Sequence, residues 1–159
     1  MKKLLTVFAL VLVSVASVVQ AQASNPWVGT WTVDIANSKF HGPAPRQQTL
    51  NLLTVNSAGL TTKWTMHIVN ADGTSTDVAY EARTDGKSYP EIANGKDTIA
   101  MTSFHRVSAT VYTSHDRTAN GSTASVTHTL AKDGKTFTSQ EHSTGKDGTF
   151  DQTYIWRKS

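Results

Sequence analysis

From residue 24 onward, apolar and polar side chains alternate with a period of two, in short runs cut by regular turn signals. Trp64, Met66 and Ile68 share a face with Leu60, while Thr61, Lys63, Thr65 and His67 occupy the other. Val78, Tyr80 and Ala82 repeat the pattern, as do Val126, His128 and Leu130, and then Phe150, Gln152, Tyr154 and Trp156. Ile99 and Met101 are expected to share a buried face, and Val111, Thr113 and His115 another. Such alternation marks strands with one buried face. No stretch after residue 24 holds a helical period beyond about two turns, so the chain is predicted to be all-β.

Turns fall at Ala71-Asp72-Gly73, Asp85-Gly86, Asn94-Gly95, Asn120-Gly121, Asp133-Gly134 and Asp147-Gly148, with one more at 56–59. Asn-Gly and Asp-Gly suit tight hairpins because both residues tolerate positive φ. The pattern predicts about ten strands, at 28–35, 47–55, 60–69, 74–84, 87–91, 97–104, 109–118, 123–130, 136–143 and 149–158. Consecutive hairpins make an up-and-down meander the simplest topology. Residues 36–46, broken by Gly42, Pro43 and Pro45, read as a loop with room for one helical turn begun at Asn37 or Ser38. Gly29-Thr30-Trp31 opens the first strand and Trp156-Arg157 sits in the last. A chain with these ends can join them into one closed barrel, with an indole as its floor.

Residues 1–23 read as a cleaved secretion signal. Lys2 and Lys3 precede an apolar run from Leu4 to Val19, and Ala21-Gln22-Ala23 supplies a small-x-small cleavage site. The run is shorter than the roughly 20 residues that span a bilayer, so no stable membrane insertion is expected. Residues 24–159 then form one domain, placed in the periplasm or outside the cell. Removing Lys2 and Lys3 from the 15 basic residues leaves 13 against 12 acidic ones. A near-neutral surface offers no electrostatic case for nucleic acid. The chain has no cysteine, which excludes disulfides, thiol catalysis and thiolate metal sites. Hydrophobic residues make up 38% even with the leader counted. Threonine and serine fill the shortfall, which implies a thin core or a partly polar interior.

The stretch from Trp27 to Phe40, with its Gly29-x-Trp31, resembles the opening of calycins, the lipocalins and fatty-acid-binding proteins. It is more similar still to bacterial exported proteins described as lipocalin-like, in which a Gly-Pro-Ala-Pro segment follows, here Gly42 to Pro45. An Asp-Gly-Lys-Thr hairpin, here Asp133 to Thr136, also recurs in that group. The resemblance covers residues 27–46 closely and the remainder loosely. It implies a single antiparallel barrel of eight to ten strands and carries no established activity. It also implies that Trp31 packs under a basic side chain of the last strand, Arg157, and closes one barrel end. Residues 36–46 are too short for the two portal helices of fatty-acid-binding proteins, and their C-terminal Arg-x-Tyr has no match. Fatty-acid binding therefore does not carry over.

Histidine is the main candidate for chemistry. Six are present, none in H-x-H or H-E-x-x-H, so a metal site would need convergence from separate strands. His115, His128 and Glu141 could meet that way, but a single interior His128 is the simpler expectation, and no metal or other cofactor is assigned. No serine sits in Gly-x-Ser-x-Gly, most acids occupy turns, and no paired carboxylates are evident, so no catalytic residue is assigned. Asn120-Gly121-Ser122 reads as a hairpin turn before it reads as a glycosylation acceptor. The expected function is binding of a small, partly apolar molecule inside the barrel. Trp64, Met66, Met101, Val111 and Phe137 would supply contact area, with Tyr80, His128 and Tyr154 as orienting polar groups. Two alternatives stay open: an envelope interaction module with a filled barrel, and a cavity enzyme using His128.

Overall fold

A computed structural model of the chain describes residues 25–55, 61–146 and 148–159, leaving aside the side chains of Thr54 and Val55. The leader read in residues 1–23, the turn at 56–59 and Leu60 lie outside the described residues. Ten strands form: β1 (Gly29–Val33), β2 (Gln47–Val55), β3 (Thr61–Val69), β4 (Ser75–Arg83) and β5 (Tyr89–Ala93) make the first half. β6 (Asp97–Arg106), β7 (Val111–Thr118), β8 (Thr123–Leu130), β9 (Thr136–Gly145) and β10 (Gly148–Lys158) complete it. Each pairs antiparallel with its neighbours in chain order, and β1 pairs with β10, closing one up-and-down barrel. The predicted hairpin at Asn94-Gly95 has positive φ at both residues, 49° and 71°, as a tight primed turn requires.

The closing seam places Trp31 opposite Lys158, Thr32 opposite Arg157 and Val33 opposite Trp156. It continues past β1. Asp34 N–H donates to the Ile155 carbonyl at 2.7 Å, and Lys39 exchanges two backbone bonds with Thr153 at 2.7 and 2.8 Å. Between these anchors lies a single 3-10 turn, Ile35–Asn37, capped by the Asp34 side chain. The helical turn expected from Asn37 or Ser38 thus begins earlier, because Asp34 is the residue whose carboxylate can accept from Asn37 N–H.

Trp31 is fully buried at one end of the barrel, where it meets Phe137 edge-on at 4.8 Å. Its indole N–H donates to the Trp27 carbonyl at 2.9 Å, and Trp27 donates in turn to Ala109 O. Trp27 packs against Tyr112 and Phe137, so four aromatic rings plug this end.

The basic side chain over Trp31 is Lys158, not Arg157. Its ammonium lies 5.0 Å from the ring centroid and donates to the Pro26 carbonyl at 2.7 Å. Side chains alternate along β10, and Trp156 takes the inward place, so Arg157 must point outward. There its guanidinium bonds Asp34, with Nε at 2.7 Å and a terminal nitrogen at 2.6 Å from Oδ2. Gly29 explains the close passage of Lys158. A Cβ on Gly29 would stand 2.6 Å from Lys158 Cε, and its φ of +143° suits glycine alone.

Trp31→Ala should lower the unfolding free energy by roughly 3–5 kcal/mol, measured by urea denaturation. Lys158→Met keeps the aliphatic stem and loses the ammonium, so it should cost only about 0.5–2 kcal/mol. A Trp31→Ala protein unfolding at the parent's midpoint would remove the plug from its structural role.

Candidate functional site

The barrel interior is not filled. A cavity of about 240 Å³ runs up from the aromatic plug, lined by side chains of eight strands and by Trp27. Its apolar walls are Leu50 and Leu52 of β2, Trp64 and Met66 of β3, Phe104 of β6 and Val126 of β8, with Phe137 of β9 and Tyr154 and Trp156 of β10. An apolar cavity of 150 Å³ admits benzene, so this one has room for a ring with a substituent. Beyond it a second, shallower hollow lies under the loop that carries Phe40, His41, Pro43 and Pro45. Gln48 and Tyr154 line both spaces, so the two lie back to back at the loop end of the barrel.

Three carboxyl groups face this cavity: Glu91 from β5, Asp116 from β7 and Glu141 from β9. Strand register carries them away from the plug. Tyr112, His128, Ser139 and Tyr154 are paired level with one another; Ser114, Val126 and Glu141 form the next row and Asp116, Ala124 and Ser143 the one beyond. Burial pushes the Glu91 carboxyl up to about 7, and the nearby charge of Asp116 adds to the effect. Burial likewise raises Asp116 to about 6, with Glu141 contributing. The Thr102 hydroxyl, opposite Asp116 on β6, eases both acids back towards ionisation without forming a well-shaped hydrogen bond to either. Glu141 is held by the Ser143 hydroxyl, which donates to it at 2.6 Å.

His128 stacks on Phe104 with centroids 5.6 Å apart, and burial lowers its pKa to about 4, so the ring is neutral near pH 7. Its Nδ1 lies 2.9 Å from Ser139 Oγ, which also accepts the Trp156 indole N–H at 3.1 Å. With that lone pair taken, Ser139 can donate to Nδ1. Its second lone pair can equally accept from Nδ1–H, so Nε2 is a donor in one tautomer and an acceptor in the other. Nε2 has no protein partner, and neither do Asp116 Oδ1, the Thr62 hydroxyl or the Tyr112 hydroxyl, all among residues that line the cavity. Buried polar atoms normally have partners, so four orphans around one cavity mark a place for a guest with polar groups or for water.

Of the predicted cavity residues, the structure brings together Trp64, Met66, His128, Phe137 and Tyr154. Tyr80 stands behind Trp64, stacked on it at 5.6 Å, and spends its hydroxyl on the Thr102 carbonyl, so it does not orient a guest. Met101 and Val111 are corrections. Met101 is 40% exposed on the outer face of β6, because Ala100, Thr102 and Phe104 take the inward places. On β7 the inward set is Tyr112, Ser114 and Asp116, which turns Val111, Thr113 and His115 outward. His115 meets Ser125 at the surface, and no group of three potential metal ligands forms among the described residues. Glu141 does face inward, as the possible cluster with His128 required, whereas Glu91 and Asp116 are the interior carboxyls that the sequence reading missed. Asp116 is opposite in parity to the Val111, Thr113 and His115 face expected inside, and Glu91 sits in a five-residue strand too short to show a period. The parity of Phe104 was the available signal for β6, since a large aromatic is expected inside.

The chain matches no protein-family model and no curated protein. Among solved structures it is similar to a de novo designed, fluorescence-activating β-barrel. That likeness has a TM-score of 0.48 and 12% identity, covering 86% of this chain and 97% of the other.

The raised carboxyls make stability fall as pH rises. Between about 4.5 and 7 the folded chain keeps the Glu91 proton that the unfolded chain has released, so the native state binds more protons and loses stability through that window. His128 works in the opposite direction, its contribution falling away as pH drops towards about 4. Glu91→Gln isolates the first effect. Relative to the parent it should gain stability progressively up to about pH 7 and then level off, the gain being on the order of 1–3 kcal/mol. Urea unfolding at a series of pH values reads this directly, and parallel curves for the two proteins would mean that Glu91 titrates as in water.

Proposed function

We propose that the protein is an exported, calycin-like barrel that binds a small, partly apolar molecule in its interior and releases it unchanged. One observation carries the reading: an unfilled cavity of about 240 Å³ whose aromatic and aliphatic walls are interrupted by polar atoms without protein partners. A barrel serving only as scaffold gains by filling such a space, since each void forfeits packing contacts and each orphaned polar atom adds a desolvation cost. The leader pattern in residues 1–23 supports export to the periplasm or beyond. Calycin kinship is supported by Gly29-x-Trp31 lying under a basic side chain of the last strand, here Lys158. The hollow under the loop with Phe40 and His41, which shares Gln48 and Tyr154 with the cavity, supports entry from that end.

A second reading has one specific observation in its favour. Glu91 and Asp116 keep their protons into the range where general acids and bases work, in the cavity that a neutral His128 also lines. A cavity enzyme built on them would convert its ligand, and the conversion would stop in His128→Ala.

Filling the cavity tests the binding reading. Leu50→Trp adds an indole where a half-buried leucine now lines the space. Small-molecule binding, read by native mass spectrometry and tryptophan fluorescence, should be lost while the β-sheet circular dichroism is kept. Met101→Gln, on the outer face, should leave binding within about twofold of the parent, the scale of a surface change. Equal binding by the parent and the Leu50→Trp protein would move the ligand out of the barrel.

A further inference from the structure

We propose that the interior site selects a small organic cation: a ring-bearing apolar body carrying one protonated amine, with the amine received by Glu91 and Asp116. The proposal rests on the reading of the barrel interior as a ligand site and names the chemistry of its guest.

Charge balance inside the cavity carries the argument. Three carboxyls line it, and no lysine or arginine does among the described residues. Arg106 sits exposed at the plugged rim, where its Nε donates to the Ser108 carbonyl and its charge acts on Tyr112. The groups facing the acids are themselves neutral or acidic. Tyr80 of β4 and Thr102 of β6 face Glu91, with Asp116 two strands along the same wall, beyond β6. Asp116 faces Thr102 and Glu141, while its chain neighbour His115 turns outward. Glu141 faces Tyr154 of β10, and His128 is neutral. An unpaired buried carboxylate is costly, and three in one cavity repel one another. A guest cation relieves both costs, whereas a fatty acid or other anion adds to them.

Independent of the acids, the Tyr112 and Thr62 hydroxyls are orphaned although their residues are 5% and 3% exposed, and both residues line the same space. These hydroxyls and His128 Nε2 are polar contacts available to a guest's own polar atom. The walls suit the rest of such a molecule. Trp64, Phe104 and Tyr154 present ring surfaces that attract cations as well as apolar groups.

Three probes sharing one phenethyl body test the assignment: phenethylamine, phenethyl alcohol and hydrocinnamate. They are titrated into the parent and into the Glu91→Gln, Asp116→Asn double variant, followed by calorimetry and tryptophan fluorescence. The amine should bind the parent about tenfold or more tighter than the alcohol, the scale of one hydrogen bond to a charged group, and hydrocinnamate should bind weakest. In the double variant the amine should fall by about the same factor while the alcohol is unaffected. From about pH 5 to about pH 8 the amine's affinity for the parent should rise as the carboxyls ionise, with no such rise for the alcohol. Alcohol or hydrocinnamate binding as tightly as the amine overturns the cation assignment and leaves the barrel a carrier of neutral or anionic guests. An amine preference that survives in the double variant overturns it too, by placing the amine elsewhere. Silence of all three probes at millimolar concentration overturns the assignment together with the interior-ligand reading.

Discussion

Everything inside this barrel depends on the seam where β1 meets β10. A ten-stranded sheet left open would expose two strand edges and could enclose nothing; closure pairs those edges and turns one sheet face into an interior. The seam is short, since β1 has five residues, and its strength comes from what surrounds the ladder. Trp31 is buried against Phe137, the Lys158 stem crosses Gly29, and Arg157 clasps Asp34 on the outside. The same Asp34 caps the 3-10 turn that returns the chain to β10 at Lys39. One local constellation therefore closes the barrel, plugs one end and launches the loop over the other.

Closure at one end creates an electrostatic problem at the centre. The plug is apolar and aromatic, so the middle of the barrel is poorly solvated. Glu91 and Asp116 respond by holding protons well above the usual carboxylate range, and His128 by giving its proton up. Packing for stability alone would favour apolar side chains at all three positions, because isosteric hydrophobic replacements of buried charged groups are commonly neutral or stabilising. Interior acids with unfilled space beside them therefore lower the stability of the barrel below what an apolar filling would give.

Outside the barrel the ionisable groups behave differently. His67 and His142 each pair with an aspartate across a strand, at 2.7 Å, in exposed positions. Such surface pairs contribute little, typically below about 1 kcal/mol. Five of the six histidines are thus surface residues, and the chemistry of the interior rests on His128 and the acids.

Ten strands, their order and most of their inward faces were legible in the chain, because β3, β4 and β8 to β10 alternate cleanly and their turns carry Asn-Gly or Asp-Gly. The closing tryptophan was legible too, from Gly29-x-Trp31. The frames of β6 and β7 were not. Residues 99–104 and 111–116 place apolar or polar groups on both faces, and a one-residue slip in reading exchanges the faces of the whole strand. Tertiary pairing decided that Tyr112 and Asp116 point inward, through β6 against β7 and β7 against β8, while for β6 only the parity of Phe104 hinted at its frame. It also decided that Lys158 and not Arg157 covers Trp31, since Trp156 had already taken the inward place. Local patterning determines which segments become strands because hydrogen-bonded backbone and one buried face are local demands. Where three carboxyls from β5, β7 and β9 meet is a property of closure, and no window of sequence contains it.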